Sequence, residues 1–288
     1  MRVVRAAEEL ERRPRAVAIG TFDGVHRGHR QVLDAALAAG STPTVVTFDP
    51  HPRAVLGGGV ELLTTLERRL ELLDAAAIED ALVLTFDREF ASTPPEVFAE
   101  EYLRAIGTEV VVAGETFRFG HRRSGDVALL ERLGFDVRAV PLLEGVSSSA
   151  IRKLLAIGDV ERAAGLLGRP AEVEGVVVAG DARGEGLGFP TANLATPEGL
   201  LVPANGIYAG AARDQRAAIS IGVNPHYGGV ERRVEAFLLD FAGDLYGKRL
   251  VVELWRRLRD ERGFATEAEL IAQIARDVEE TRSADRPV

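Results

Sequence analysis

Two histidines three residues apart, His26 and His29, stand in the stretch AVAIGTFDGVHRGH at residues 16–29, in a chain with 5 histidines in all. A short apolar run empties into Gly20-Thr21-Phe22-Asp23-Gly24, and helical spacing begins after Gly28. Strand, glycine-rich turn and helix start is the layout of a nucleotide site in an open α/β sheet. Glycines let backbone approach phosphate, and a helix N-terminus favours anionic charge. Gly20, Phe22, Asp23, Gly24 and Gly28 are therefore candidate nucleotide-binding positions, and both histidines can face one way beside them. Without a ligand, the same pattern is a βα turn with two surface histidines.

Other reactive residue types recur along the chain. His51 lies in Asp49-Pro50-His51-Pro52, where proline fixes the backbone after an apolar run. Residues 114–126, GETFRFGHRRSGD, set three arginines among glycines; Phe117 and Phe119 can wall an aromatic ring or anchor the loop. Ser147 and Ser148 precede Arg152, so this stretch can cap a helix or receive nucleotide phosphates. In GDARGEGLGFPTANL, residues 180–194, Gly180 and Arg183 suit a phosphate-cradling loop. Thr191 and Asn193 offer oxygen donors of the kind a hard cation such as Mg²⁺ takes. Glu235 in VEAFLLDF alternates with Phe237 and Leu239, so a carboxylate buried among apolar side chains, with a raised pKa, can serve as a base. Arg259 and Phe264 can close over a ligand, one toward phosphate and one against an aromatic face.

The elements that must position these groups fall into two styles. Strands are expected near 42–48, 81–86, 109–113 and 135–140, with helices over 66–73, 94–105 and 127–133 between them. That alternation predicts a mostly parallel sheet covered on both faces. Two short helices follow, through 154–155 and over 160–167. After Gly168-Arg169-Pro170, short strands separated by glycine and proline turns predict an antiparallel barrel or sandwich. A helix over 266–281 presents Leu270, Ile271, Ile274 and Val278 on one side, and the tail ADRPV is expected to be disordered. The boundary is placed at 168, giving domains 1–168 and 169–288.

Composition narrows the class. The chain has 288 residues, 46% of them hydrophobic, enough for two ordinary domains. It has no cysteine, which excludes thiolate metal sites and cysteine nucleophiles. The formal net charge of −9 argues against nucleic acid as a partner. No apolar run approaches the roughly 20 residues that span a bilayer, and residues 1–14 lack an export-signal core, so no membrane partner and a cytoplasmic location are expected.

GTFDGVHRGH, FDPHP, FRFG, SSSAIR, GLGFPTANL, VEAFLLDF and DLYG occur in one order over roughly residues 14–281. Together they closely resemble the bacterial bifunctional riboflavin kinase/FMN adenylyltransferase family. The resemblance implies an N-terminal HxGH-type nucleotidyltransferase domain with an open parallel sheet. A C-terminal riboflavin-kinase antiparallel β-barrel with a terminal helix would follow. It implies ATP, riboflavin, FMN and FAD as substrates or products, with Mg²⁺. His26 and His29 match the HxGH pair that holds ATP phosphates, and Ser147, Ser148 and Arg152 match a second phosphate motif. Phe119 and its loop match a segment around ATP and flavin. Thr191 and Asn193 match the motif positioning Mg²⁺-ATP, Glu235 the kinase base, and Arg259 and Phe264 a flap over flavin. Thr21, Thr116, Ser149, Glu185 and His226 depart from the residues common in that family. Small-molecule substrates and a monomer or weak homo-oligomer are expected. The alternatives are an adenylyltransferase with weak or absent kinase activity and, more remotely, a non-catalytic flavin or nucleotide sensor.

Overall fold

In the computed structural model, residues 1–180, 188–223 and 232–287 are described. Backbone contacts divide the chain into two compact units, Met1–Ser147 and Ser148–Val288.

The first unit holds strands β1 (Arg2–Val4), β2 (Arg15–Ile19), β3 (Thr42–Asp49), β4 (Asp80–Thr85), β5 (Thr108–Gly114), β6 (Arg118–Phe119), β7 (Gly125–Asp126) and β8 (Asp136–Val140). Its helices are α1 (Arg27–Leu37), α2 (Pro52–Val55), α3 (Leu66–Asp74), α4 (Pro95–Phe98) and α5 (Val127–Arg132), with α4 running on as a π-helical turn over Ala99–Arg104. Six strands pair in parallel in the order β1-β4-β3-β2-β5-β8, and β6 and β7 form a separate small hairpin. The chain runs outward from β2 through β3 and β4 on one side, and through β5 and β8 on the other. The order therefore reverses between β2 and β5, the place where open sheets take ligands beyond the carboxyl ends of their strands.

Strand periodicity builds a core on each face of this sheet. Val17 and Ile19 of β2 join Val46, Leu82, Val111, Phe98 and Leu103. Ala16 and Ala18, one residue out of phase, join Val45, Val112, Leu33, Leu73 and Phe22. At the opposite end of the strands from the turns, Arg15 is 1% exposed and pairs with Asp80. Burial alone would raise the Asp80 pKa, but the hydrogen bonds from Arg15 and Arg13 outweigh it and leave the carboxyl below its ordinary value.

The second unit opens with α6 (Ser148–Ala156) and α7 (Val160–Leu167). Six strands follow: β9 (Ala171–Val178), β10 (Ala192–Ala195), β11 (Gly206–Ala212), β12 (Gln215–Val223), β13 (Arg232–Leu238) and β14 (Arg249–Arg259). They close into an antiparallel barrel in the order β10-β13-β12-β11-β14-β9. The chain ends in α8 (Glu267–Ser283), which packs on β11 and β12. The helices α6 and α7 belong to this unit because α7 packs on β9 and β14 and the Leu155 carbonyl accepts from the Ala204 amide at 2.9 Å.

Three expectations change here. β14, at 11 residues, closes the barrel where sequence periodicity had marked no strand. The buried stripe of α8 is polar, Gln273, Asp277 and Thr281, whereas Leu270, Ile271, Ile274 and Val278 are half-buried. The tail is pinned as well. Ala284 is 1% exposed, its carbonyl accepts from Arg216 Nη1 at 2.6 Å, and Arg286 pairs with Glu253 at 2.7 Å.

Candidate active sites

The first constellation sits where β2 ends. Gly20, Phe22, Asp23 and Gly24 make the turn, and α1 begins one residue after His26, its N-cap. His26 Nδ1 accepts from the His29 amide at 3.2 Å, so a histidine satisfies the open helix start where serine or asparagine usually does. The rings of His26 and His29 stack with centroids 3.6 Å apart, and Phe22 meets His29 edge-on at 5.3 Å. Phe22 and Val25 hold positive φ, 49° and 38°, a strained backbone for residues with side chains. Gly24 has φ +82°, and a Cβ there would lie 2.7 Å from Leu63. Gly28 lies beneath His26, where a Cβ would stand 3.2 Å from the imidazole.

Asp23 supports this turn from inside. It is 1% exposed, and its carboxylate accepts from the amides of Leu63 at 2.9 Å and Thr64 at 3.1 Å. His51 follows β3 as the N-cap of α2, is 8% exposed, and accepts from the Arg53 amide at 3.1 Å. The preceding Asp49–Pro50 peptide is cis. The His29 pKa falls well below the ordinary 6.5, first through burial, then through the nearby positive charges of His26 and Arg69. His29 Nδ1 is shielded from solvent with no hydrogen-bond partner, a donor or acceptor still to be satisfied.

Sequence reasoning passed over Arg69. It lies on α3 at 2% exposure and reaches under the turn, with Nη1 donating to the Thr21 carbonyl at 2.7 Å and the Phe48 carbonyl at 3.1 Å. The signal was available: Leu66, Arg69, Leu70 and Leu73 share one helical stripe, with an arginine among leucines.

Other candidates fall elsewhere. Phe119 is 7% exposed, stacks on Phe117 at 5.5 Å and packs against Phe98. Ser147 ends the first unit, and Ser148 and Arg152 lie on α6 at the start of the second.

The second constellation lies on the outward face of the barrel. In β13, Val234, Ala236 and Leu238 are buried, while Glu235 and Phe237 alternate with them and are half-buried. Glu235 is thus not sunk among apolar side chains, as alternation with Phe237 and Leu239 had suggested. Its side chain is 33% exposed, with Arg233 Nη1 3.9 Å from its carboxylate. The strand ends at Leu238, so Leu239 leaves the alternating register. Asn193 of β10 stands directly opposite Glu235, and Ser220 of β12 flanks it on the other side. Directly paired residues share a face, so amide, carboxylate and hydroxyl lie side by side. Asn193 Nδ2 reaches the Thr191 carbonyl at 3.5 Å. Gly180 leaves the space this amide fills: a Cβ there would be 2.1 Å from Asn193 Nδ2. Arg183, like Glu185 and His226, lies outside the described residues.

Arg259 ends β14 and is committed to α8. It donates to both oxygens of Asp277, at 3.0 Å and 2.7 Å, and Asp277 is 3% exposed. Gln273 donates to the same carboxylate at 2.8 Å. The ring of Phe264 has the guanidinium groups of Arg262 and Arg259 at 5.0 Å and 5.9 Å from its centroid. Arg259 and Phe264 therefore lie near each other, with the arginine oriented by the terminal helix.

Comparison with known proteins follows the same division. The family model for FAD synthetase matches residues 8–151, and that for riboflavin kinase matches residues 167–284. The bifunctional riboflavin kinase/FMN adenylyltransferase of Escherichia coli K12 is 35% identical over 300 residues, covering 96% of each chain. The protein of that name from Bacillus subtilis 168 is 34% identical, covering 92% of this chain and 90% of its own. A Streptococcus pneumoniae crystal structure titled macrolide-efflux protein superposes with a TM-score of 0.88 at 30% identity, covering 98% of this chain and 99% of that one. Among the described residues here, no helix is long and apolar enough to cross a membrane. With an α/β unit and a barrel unit each matched by its own family model, and relatives aligned along nearly the whole length, this chain belongs to the bifunctional riboflavin kinase/FMN adenylyltransferase family.

Proposed function

We propose that this chain phosphorylates riboflavin with ATP to give FMN and ADP, and joins FMN to a second ATP to give FAD and pyrophosphate. The observation that carries this reading is the presence of two unlike polar constellations, one at the switch point of the parallel sheet and one on the barrel, in segments matched by two different family models. The functional division is placed at 1–168 and 169–288, supported by family matches that end at 151 and resume at 167.

At the sheet, a phosphate oxygen of FMN attacks the α-phosphorus of ATP. The new P–O bond forms as the bond to the β-phosphate bridging oxygen breaks, and pyrophosphate leaves with that electron pair. No covalent enzyme intermediate is required, so the protein's task is to orient and to stabilise charge. His26 and His29, with the α1 amides, serve the ATP phosphates. Gly20, Phe22, Gly24, Gly28 and His51 shape the surrounding surface, and Asp23 holds the turn. Ser147, Ser148 and Arg152 make up the second phosphate motif.

At the barrel, the 5′-hydroxyl of riboflavin attacks the γ-phosphorus, ADP leaves, and Glu235 takes the hydroxyl proton. Thr191 and Asn193 supply neutral oxygen donors, the Asn193 amide seated against Gly180, a donor set that fits Mg²⁺. When bound there, Mg²⁺ would neutralise charge on the transferred phosphate. Arg259 and Phe264 cover the flavin side.

Separate product assays test the reading. His29→Ala is expected to abolish FAD formation from FMN while sparing FMN formation, and Glu235→Ala to do the reverse. Equal damage to both reactions in either folded variant contradicts two separate sites. An intact chain that adenylylates FMN but never turns over riboflavin would leave only the adenylyltransferase.

A further inference from the structure

The β2–β3 ladder stops just before the first site. Its last paired residues are Ile19 and Val46, followed by one hydrogen bond from the Gly20 amide to the Val46 carbonyl at 3.1 Å. Beyond that point the two chains part, one toward His26 and His29, the other toward His51. The Thr21 and Phe48 carbonyls lie past the end of the ladder, where a buried acceptor still needs a donor. Arg69 supplies it from a third element, α3, bonding both carbonyls through Nη1. Thr47 completes the bridge: its hydroxyl accepts from Arg69 Nη1 and donates to the Thr21 carbonyl, each at 3.3 Å.

We propose that Arg69 is a positioning residue for adenylyl transfer, a strut from α3 that fixes the spacing between the turn carrying His26 and His29 and the loop carrying His51. This rests on the adenylyltransferase reading above. The geometry is unusual for a merely structural arginine. The guanidinium is 2% exposed, no carboxylate is hydrogen-bonded to it among the described residues, and its Nε lacks a partner. A buried charge held mainly by carbonyls projects its field into the site. The charged and titratable groups facing it are Asp23 from the turn and Asp49 from the end of β3. Those facing His29 are His26 at the start of α1 and Arg69 from α3. After burial and His26, the Arg69 charge also helps to lower the proton affinity of His29.

Two variants of the full chain separate the roles. Arg69→Gln removes the charge and cannot span both carbonyls. Its kcat/KM for FAD formation from FMN and ATP is expected to fall on the order of 10- to 100-fold, as a misplacement of about 1 Å would produce. Riboflavin phosphorylation by the same molecules should remain unchanged, and the His29 ring, followed by NMR, should titrate at higher pH. Thr47→Val breaks the middle of the bridge and keeps the guanidinium. FAD formation should fall while the His29 titration stays where it was. Wild-type FAD kinetics in Thr47→Val or Arg69→Gln overturns the strut, and so does parallel loss of both reactions, which marks a general stabiliser. If Arg69→Gln does not fold, Thr47→Val decides alone. A wild-type chain that makes no FAD would instead refute the parent reading, and the His29 titration would still report on Arg69.

Discussion

His29 shows how burial and neighbouring positive charge change the proton affinity of an ordinary side chain. Its proton affinity is lowered by burial and then by His26 and Arg69, so the native ring refuses a proton that the unfolded chain accepts below 6.5. Where the unfolded state binds more protons, stability rises with pH. The first unit should therefore lose stability as pH falls from 6.5 toward the lower native value. Thermal unfolding of ligand-free protein at pH 7.5 and 5.5 should show this loss, and His29→Gln should reduce it. An unchanged difference in that variant would assign the acid sensitivity elsewhere. At this scale the histidines, Asn193 and Glu235 were legible as residue types at suggestive spacing. The half-exposed state of Glu235 was not, because alternation specifies two faces and leaves open which is buried.

Among the elements, α8 is the least like its sequence pattern. Four apolar residues recur along it, yet Gln273, Asp277 and Thr281 are the buried ones. These polar groups have partners on the strands: Asp277 holds Arg259 of β14, and the Thr281 carbonyl accepts from Arg216 of β12 at 2.9 Å. Removing one member of a mostly buried pair leaves the other charge uncompensated, at roughly 3–5 kcal/mol for full burial. Because Arg259 is 19% exposed, Asp277→Ala should cost about 2–3 kcal/mol, read from denaturant unfolding of the barrel transition. It should also raise the KM for riboflavin while leaving FAD formation from supplied FMN intact. Native stability with native kinase kinetics would mean Arg259 needs no support from the helix. β14 escaped sequence reading for a related reason. Its charged residues sit among apolar ones, and they are satisfied by Asp277, Glu174 and the tail rather than by a polar loop.

Across the whole molecule, two segments are matched by two different family models, so perturbing one metal-dependent step should leave an identifiable intermediate pattern. Chelation with EDTA is expected to stop FMN formation from riboflavin and ATP, with recovery on adding excess Mg²⁺. Phosphorylation persisting at full rate under chelation would remove Thr191 and Asn193 from metal binding. Without chelator, a time course starting from riboflavin should show FMN before FAD.

By itself the sequence determined the fold classes of both halves, the order of their motifs and the division of labour. Hydrophobic periodicity and turn chemistry are local properties, and seven motifs in one order form a pattern that no single element can supply. Only the tertiary structure decided that Asn193 faces Glu235, that Arg69 lies under the histidine turn, and that Asp277 orients Arg259. Each of these joins residues distant in the chain through strand register or side-chain reach, and neither quantity is written into local spacing.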